Sequence, residues 1–433
     1  MTDNPRHDGD LDPTLVSEIV DRGLRVRRAD GSRKQVDAWH GAVSRGFLGN
    51  EDSDARRESF FERSVGNRMV GIYDPEAAQP ETPVATLAAW GAELTVPGGS
   101  LASYAISAVT VAPTHRRRGL LRSLLSGELR SAARDGFPIA SLTVSESSIY
   151  GRFGFAPAAL AADVEIDVRR AGWIGPEPGG RIDFVSREHG RRIAPTLHDR
   201  VRATRPGEVS HPARNWDVLF GTMPDAEKPE SVRVLQYRSP DGEVDGLAVY
   251  TVTENPTQFA ASTVNLLRLI AATDDAYAAL WKFLLSLDLI GTIRADDLSI
   301  DEPLWWMVAN RRAAQVSIRD HHYLRVLDVP TCLAARRYEH ADSIVLDVHD
   351  PVGIAGGRFL VHTNQAGEAT VRADASDAGA HSVHLGVAEL SALLLGDVSA
   401  ITLAHAGRLR SDDPARVARF FGSTADARLS FWY

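Results

Sequence analysis

Cys332 is the only cysteine in the sequence, which excludes an internal disulfide and a cysteine-based metal cluster and fits a reducing compartment. No stretch approaches the roughly 18 consecutive apolar residues that a membrane-spanning helix needs. The opening residues Met1 to Asp10 are polar and carry no apolar signal core, so a cytoplasmic protein without membrane attachment is expected. Positive charge is not in excess: a formal net charge of -9 argues against nucleic acid as the main partner and suits cationic substrates. Nucleotide-loop, dinucleotide and Gly-x-Ser-x-Gly fingerprints are missing too. His321-His322 lacks the i, i+4 spacing and glutamate of a zinc helix. Asp241 to Gly246 starts like a calcium loop, but Val252 stands where a bidentate glutamate is required, and the segment reads as a hairpin turn. No metal site is expected.

What is present is a folded, mixed α/β chain. With 44% apolar residues over 433 positions there is material for about three cores. The most informative stretch runs from Val109 to Arg122, where Arg116, Arg117 and Arg118 stand at the handover from a strand to a helix. The segment Tyr104 to Val111 alternates and is rich in strand formers. Beyond Gly119, residues Leu121, Leu124, Leu125, Leu129 and Ala132 recur at helical spacing, and Asp135-Gly136 followed by Pro138 ends the helix. Cations at a helix N-terminus oppose the macrodipole, which makes sense if an anion binds between them. The alternative is a solvated arginine cluster on a surface turn. Glycine at 119 would let a pyrophosphate approach the backbone.

Further elements follow from the same patterns: a strand over Leu24 to Arg28, helices over Val36 to Phe47 and Arg56 to Val65, and strands around Met69 to Tyr73, Pro83 to Thr95 and Leu101 to Val111. Pro97-Gly98-Gly99 marks a hairpin. A strand over Ile139 to Val144, a short helix near Ser147 to Arg152 and a strand pair between Ala159 and Val168 complete this part. The break Pro176 to Gly180 opens a second α/β region with a weak echo of the first: a strand over Val264 to Ile270 and a helix over Ala276 to Leu287. Between those two stands Ala272-Thr273-Asp274-Asp275, and two carboxylates at a helix N-terminus would repel a pyrophosphate. The acidic residues Glu51, Asp52 and Asp54 read either as a solvated loop or as the lining of a cationic pocket. Trp39, Val43 and Phe47 read as core packing or as an apolar pocket wall.

Arg116-x-x-Gly119-x-Leu121 resembles the Arg/Gln-x-x-Gly-x-Gly/Ala signature of the GNAT superfamily of N-acetyltransferases, with Leu121 in place of the final small residue. Tyr150-Gly151-Arg152-Phe153-Gly154-Phe155 resembles the segment that, in those enzymes, brings a tyrosine near the sulfur of coenzyme A. The region from about Ser317, with its short apolar helix Gly386 to Gly396, resembles the sterol carrier protein fold. Taken together, the chain resembles the Eis (enhanced intracellular survival) family of actinobacterial acetyltransferases over nearly its full length. The fold implied is α/β (α+β): tandem GNAT folds followed by a sterol carrier protein-like α+β domain. The segments are then a flexible stretch over 1–23, a catalytic domain over 24–168, a degenerate second copy over 169–317 and the third domain over 318–433.

The resemblance implies a homohexamer that moves an acetyl group from acetyl-coenzyme A, as co-substrate, to amines of small polycationic molecules such as aminoglycosides, at several positions. Backbone contacts to the pantetheine and thioester fall to Val109, Thr110 and Val111. Arg116, Arg117, Arg118, Gly119, Leu120, Leu121 and Arg122 would hold the pyrophosphate, with Ser145 and Glu146 beside the cofactor arm. Tyr150 is implied as general acid; a phenol with a free pKa near 10 is protonated at neutral pH and able to donate. The aromatic ending Leu429 to Tyr433 suggests insertion into a pocket, and the resemblance makes the terminal carboxylate of Tyr433 the proton acceptor. The family commonly ends in phenylalanine, so tyrosine here is a departure. Other readings remain open: a protein-lysine or polyamine acetyltransferase with the same donor site, or a lipid-binding scaffold whose third domain is the working part.

Overall fold

The computed structural model describes residues 9–64, 66–374 and 380–433. In chain order the elements begin with α1 (Pro13–Val20), β1 (Arg25–Arg28), α2 (Arg33–Gly46), α3 (Asp54–Ser64), β2 (Arg68–Tyr73), β3 (Ala85–Val96), β4 (Gly99–Val111), α4 (Leu120–Arg134), β5 (Ile139–Thr143) and β6 (Ala156–Asp167). Next come α5 (Val168–Ala171), β7 (Arg181–Val185), α6 (Arg187–Arg202), α7 (Ala213–Leu219), β8 (Arg233–Arg238), β9 (Val244–Thr253), β10 (Ser262–Ala271), α8 (Asp274–Leu285), β11 (Ile290–Leu298), α9 (Leu304–Met307) and β12 (Ala314–Val326). The remainder is α10 (Val329–Ala335), β13 (Ser343–His349), β14 (Gly357–Thr363), β15 (Ala369–Ala373), β16 (His381–Gly386), α11 (Val387–Leu393), α12 (Ala400–His405), β17 (Leu409–Ser411) and α13 (Pro414–Phe421).

These elements form two compact units. One holds the chain up to Ala159 together with His322–Ala425 and Tyr433; the other holds Leu160–His321 and Asp426–Trp432. The C-terminal segment therefore groups with the first α/β segment. In the first unit the strand order is β1-β2-β3-β4-β5, and the His322–Val326 part of β12 pairs antiparallel to β5. Its second sheet has the order β15-β14-β13-β16-β17. In the second unit the order is β6-β11-β10-β9-β8-β7, with β10 and β11 parallel.

Where a flexible segment over 1–23 is expected, helix α1 is found. Asp12 caps it by accepting from the Leu15 N–H at 3.0 Å, and Pro13 supplies the first-turn φ. Leu15 and Ile19 are buried, and Gly127 of α4 makes room for Leu15: a Cβ there would lie 2.6 Å from that of Leu15. The Asp12 carboxylate also meets Arg130 and Arg134, each at 2.7 Å. The strand pair expected near Ala159 is one continuous strand, β6, and the short helix near Ser147 is a 3-10 turn over Gly151–Phe153. Val65, the expected end of α3, lies outside the described residues.

Helix α4 buries Leu120, Leu124, Leu125, Leu129 and Ala132 against the sheet. It closes where Gly136 turns to φ +86° and the Phe137 N–H reaches the Ala132 carbonyl at 3.0 Å. Pro97 and Gly98 make the β3–β4 corner, Gly98 at φ +69°.

Candidate active site

The site begins with an irregularity in β4. Its pairing with β3 slips between Thr86, opposite Thr110, and Ala88, opposite Ser107. Ala108 takes up the extra residue at φ +51°, and the Thr86 hydroxyl bonds both the Ala108 carbonyl and Thr110 Oγ1 at 2.8 Å. Such bulges re-aim a strand and recur beside active sites. On its other side β4 pairs with β5 only from Ser103–Ile139 to Ile106–Leu142. The Val109–Val111 stretch is thus freed from β5.

A cavity of about 610 Å³ lies here. Its walls bring together Val109, Thr110, Val111, Arg116, Arg117, Gly119, Leu120, Leu121, Arg122, Ser145, Glu146 and Tyr150. Arg118 is not among them; its carbonyl accepts a bond from Arg22 Nη1 at 3.3 Å. Tyr433 is not among them either.

The turn into α4 is built from left-handed residues, Arg117 at φ +64° and Gly119 at φ +77°. Glycine at 119 answers to this backbone rather than to crowding, since the nearest atom to an added Cβ is 3.4 Å away on Arg22. No side chain caps α4 at Gly119, and the residues that start the helix, Gly119 to Arg122, line the cavity. By contrast α8 is capped by Thr273, which accepts from the Ala276 N–H at 3.2 Å, with Asp274 and Asp275 in its first turn. Arg116 braces as well as lines the cavity: it donates to the Val111 carbonyl at 3.2 Å and the Gly46 carbonyl at 3.5 Å.

Several lining residues were not singled out from sequence. Gly46 ends α2 against β4, where a Cβ would fall 2.4 Å from that of Thr110. Phe47 beside it, read from the sequence with Trp39 as core packing or a pocket wall, lines the cavity, whereas Trp39 is core and donates to the Val70 carbonyl at 3.1 Å. His115 lines the cavity with both ring nitrogens engaged, by Asp74 at 3.0 Å and Thr114 at 2.8 Å. Arg152, inside the quoted tyrosine motif, is a further cation of the wall. Asp52 does not line this cavity, and its carboxylate is buried against His40, Ser44 and Arg56.

Tyr150 is buried edge-on to Phe155, ring centroids 6.0 Å apart, and burial pushes its phenol up to about 12. Glu146 accepts from the Ser148 hydroxyl at 2.8 Å, and that bond keeps its carboxyl below the usual range. Tyr433 lies elsewhere in the first unit. Its hydroxyl donates to Ser141 Oγ at 2.7 Å and meets His322 Nε2 at 3.0 Å, its ring is edge-on to Trp90, and its main-chain carboxyl oxygen accepts from Thr143 Oγ1. Thr143 ends β5, two residues before Ser145 in the cavity wall. Burial raises the Tyr433 phenol as well, so this hydroxyl stays protonated. Among the described residues no group of three or more His, Cys, Asp or Glu is placed to hold a metal ion.

A bulged, splayed strand followed by an arginine-glycine turn and an uncapped helix defines an acetyltransferase of the GNAT class. An acetyltransferase (GNAT) domain model matches residues 25–158, a second such model residues 207–326, and a sterol carrier protein domain model residues 329–427. The chain is 38% identical to an uncharacterized N-acetyltransferase of Streptomyces avermitilis over 90% of this chain and 93% of that one. It is 35% identical to the N-acetyltransferase Eis of Mycobacterium bovis, covering 78% of this chain and 83% of the relative. The crystal structure of Eis1 from Mycobacterium abscessus superposes with a TM-score of 0.79 at 27% identity, over 94% of this chain and all of that one. The chain belongs to the Eis family of N-acetyltransferases, with tandem GNAT domains followed by a sterol carrier protein-like domain.

Proposed function

We propose that the protein transfers the acetyl group of acetyl-coenzyme A to amines of small polycationic molecules, aminoglycosides among them and at more than one position. The observation that carries this reading is the single cavity joining the Val109–Val111 strand, the Arg117–Arg122 turn and Tyr150. Its residues fit the donor. Arg117, Arg122 and the first-turn N–H groups of α4 suit a pyrophosphate, and the splayed strand suits an extended amide arm.

Acetyl-coenzyme A supplies an activated thioester when bound. Backbone N–H groups of Val109 to Val111 hold the carbonyl oxygen as it gains charge. The acceptor amine forms the new C–N bond as the C–S bond breaks, and Tyr150 gives its proton to the departing sulfur. The carboxylate of Tyr433 takes the proton shed by the amine, directly or through water. An unperturbed terminal carboxyl, of pKa roughly 3.3–3.7, is a feeble base in water, and burial would raise it. The assembly we infer is a homohexamer in the cytoplasm, without nucleic acid or membrane as partner.

Purified protein with acetyl-coenzyme A and a panel of aminoglycosides, polyamines and lysine peptides tests the acceptor class. Free thiol is expected with the aminoglycosides, with products carrying more than one acetyl group by mass. Thiol release with peptides or polyamines alone would move the assignment to those acceptors.

A further inference from the structure

The cavity wall that carries Tyr150 is held from outside the first acetyltransferase segment. Tyr150 opens the 3-10 turn Gly151–Phe153, and its carbonyl accepts from the Phe153 N–H at 3.0 Å. The carbonyl of the same Phe153 accepts from Arg325 Nε at 2.7 Å. Phe153 is thus pinned on both sides, to Tyr150 by its N–H and to β12 by its oxygen. Arg325 is wholly buried, its fork closed on Asp350 with Nη2 at 2.8 and 2.7 Å from the two carboxylate oxygens, while Nη1 donates to the Val326 carbonyl.

Asp350 is itself fixed. Its carboxylate accepts from the backbone N–H groups of Val352, Ile354 and Ala355 at 3.0, 2.8 and 2.7 Å, which folds the loop after β13 around it. Burial pushes this carboxyl up, but the Arg325 charge and the loop N–H groups outweigh it and hold it low. Gly154 completes the fit: it sits at φ +87°, and a Cβ there would lie 2.5 Å from Arg325 Nε. A buried ion pair is weak evidence of a gain in stability, since desolvation offsets its attraction. What this one supplies is a fixed geometry.

We propose that Asp350, through Arg325 and the Phe153 carbonyl, is a positioning residue for Tyr150, so that the sterol carrier protein-like segment takes part in acetyl transfer. The role rests on Tyr150 acting as the acid. It makes the third segment more than a scaffold, because one of its side chains sets the orientation of a residue in the donor cavity. Arg152 shares this turn, but Arg117 and Arg122, the cations assigned to the pyrophosphate, lie on a different one, so the effect falls chiefly on turnover.

The test is a double-mutant cycle in the full-length protein, reading kcat and the KM for acetyl-coenzyme A. Asp350→Asn leaves one acceptor oxygen for the loop N–H groups, puts an amide NH2 where the other oxygen accepts, and removes the charge that orients Arg325. Asp350→Asn is expected to lower kcat about tenfold with less than a threefold change in KM, and to have no further effect on kcat when Tyr150 is already Phe. Where Asp350→Asn fails to fold, Arg325→Lys is read in its place. Lysine keeps a cation for Asp350 but cannot serve Asp350 and Phe153 with a planar fork, so the same kcat loss and the same coupling are expected. An unchanged kcat beside a slowed Tyr150→Phe enzyme overturns the positioning role alone, as does an equal loss in the Tyr150→Phe background. A Tyr150→Phe enzyme at full rate removes the acid reading first, and this role with it.

Discussion

A tyrosine serves as an acid only while it keeps its proton. Tyr150 is well placed for that, because burial lifts its phenol to about 12 and the neutral form holds throughout the ordinary working range. With Tyr150 as the proposed acid the protonated form is the active one, so activity from this group is present below its pKa and lost above it. Between about pH 7 and 10, kcat of the wild-type enzyme should carry no alkaline loss from Tyr150. Tyr150→Phe should lower kcat roughly 100-fold at any pH in that window, with the KM for acetyl-coenzyme A nearly unchanged. Steady-state thiol release across the pH range checks both, and a slope that vanishes with Tyr150 would contradict the raised phenol. Tyr150 and the arginine turn were legible in the sequence because each is a contiguous motif. Arg152 and His115 were not, since nothing local separates a residue facing a cavity from its neighbour facing solvent. Gly119 reads from the sequence as room for a pyrophosphate, whereas the structure gives it a left-handed φ of +77° with Arg22 at ordinary contact distance from where a Cβ would stand.

At the scale of elements, periodicity served wherever one face of a helix meets one face of a sheet. The α4 stripe and the strands from Met69 to Val111 followed from it, as did the acidic start of α8. It gave no sign of the bulge at Ala108, because a bulge is a mismatch between two strands and is written in neither alone. Helix α1 was missed although Asp12-Pro13 is a sound start signal; only eight residues follow, and their partner, Gly127, is remote in sequence. The helix is tied to α4 by Asp12. Burial pushes that carboxyl up, but hydrogen bonds from Arg130 and Arg134 and the Leu15 N–H hold it below the usual value. A depressed folded-state pKa contributes stability that is present above the unfolded value of about 3.9 and is lost as pH falls through the folded one. Asp12→Asn should therefore lower stability at pH 7 by about 1 kcal/mol or more while flattening the acid limb below about pH 4. Urea unfolding at several pH values measures this, and an equal loss at pH 7 and at pH 3 would contradict it.

For the whole molecule, linear order and compact units disagree, and the disagreement concerns β5. Every residue of this strand is buried, and its neighbour opposite β4 is His322–Val326, nearly 180 residues later in the chain. The same stretch continues the anchoring: Leu327 and Asp328 donate to the Pro138 carbonyl at 2.7 and 3.0 Å, and Val326 donates to Ser391 Oγ at 3.0 Å. Buried Arg336 ties the carbonyls of Leu393, Leu394 and Phe421 together within the third segment. Ending the chain at residue 321 would leave β5 as an exposed apolar edge and deprive Phe153 of Arg325, a combination that favours aggregation over folding. That truncated chain should be insoluble or bind no acetyl-coenzyme A. Removing only Trp432 and Tyr433 has a different expected outcome, since neither lines the donor cavity. Donor affinity by calorimetric titration should stay within about threefold of wild type, while kcat falls about tenfold or more as the proposed proton acceptor is lost. A soluble, donor-binding chain ending at 321 would make the first acetyltransferase segment self-sufficient, and full turnover without Trp432 and Tyr433 would remove the terminal carboxylate from the reaction.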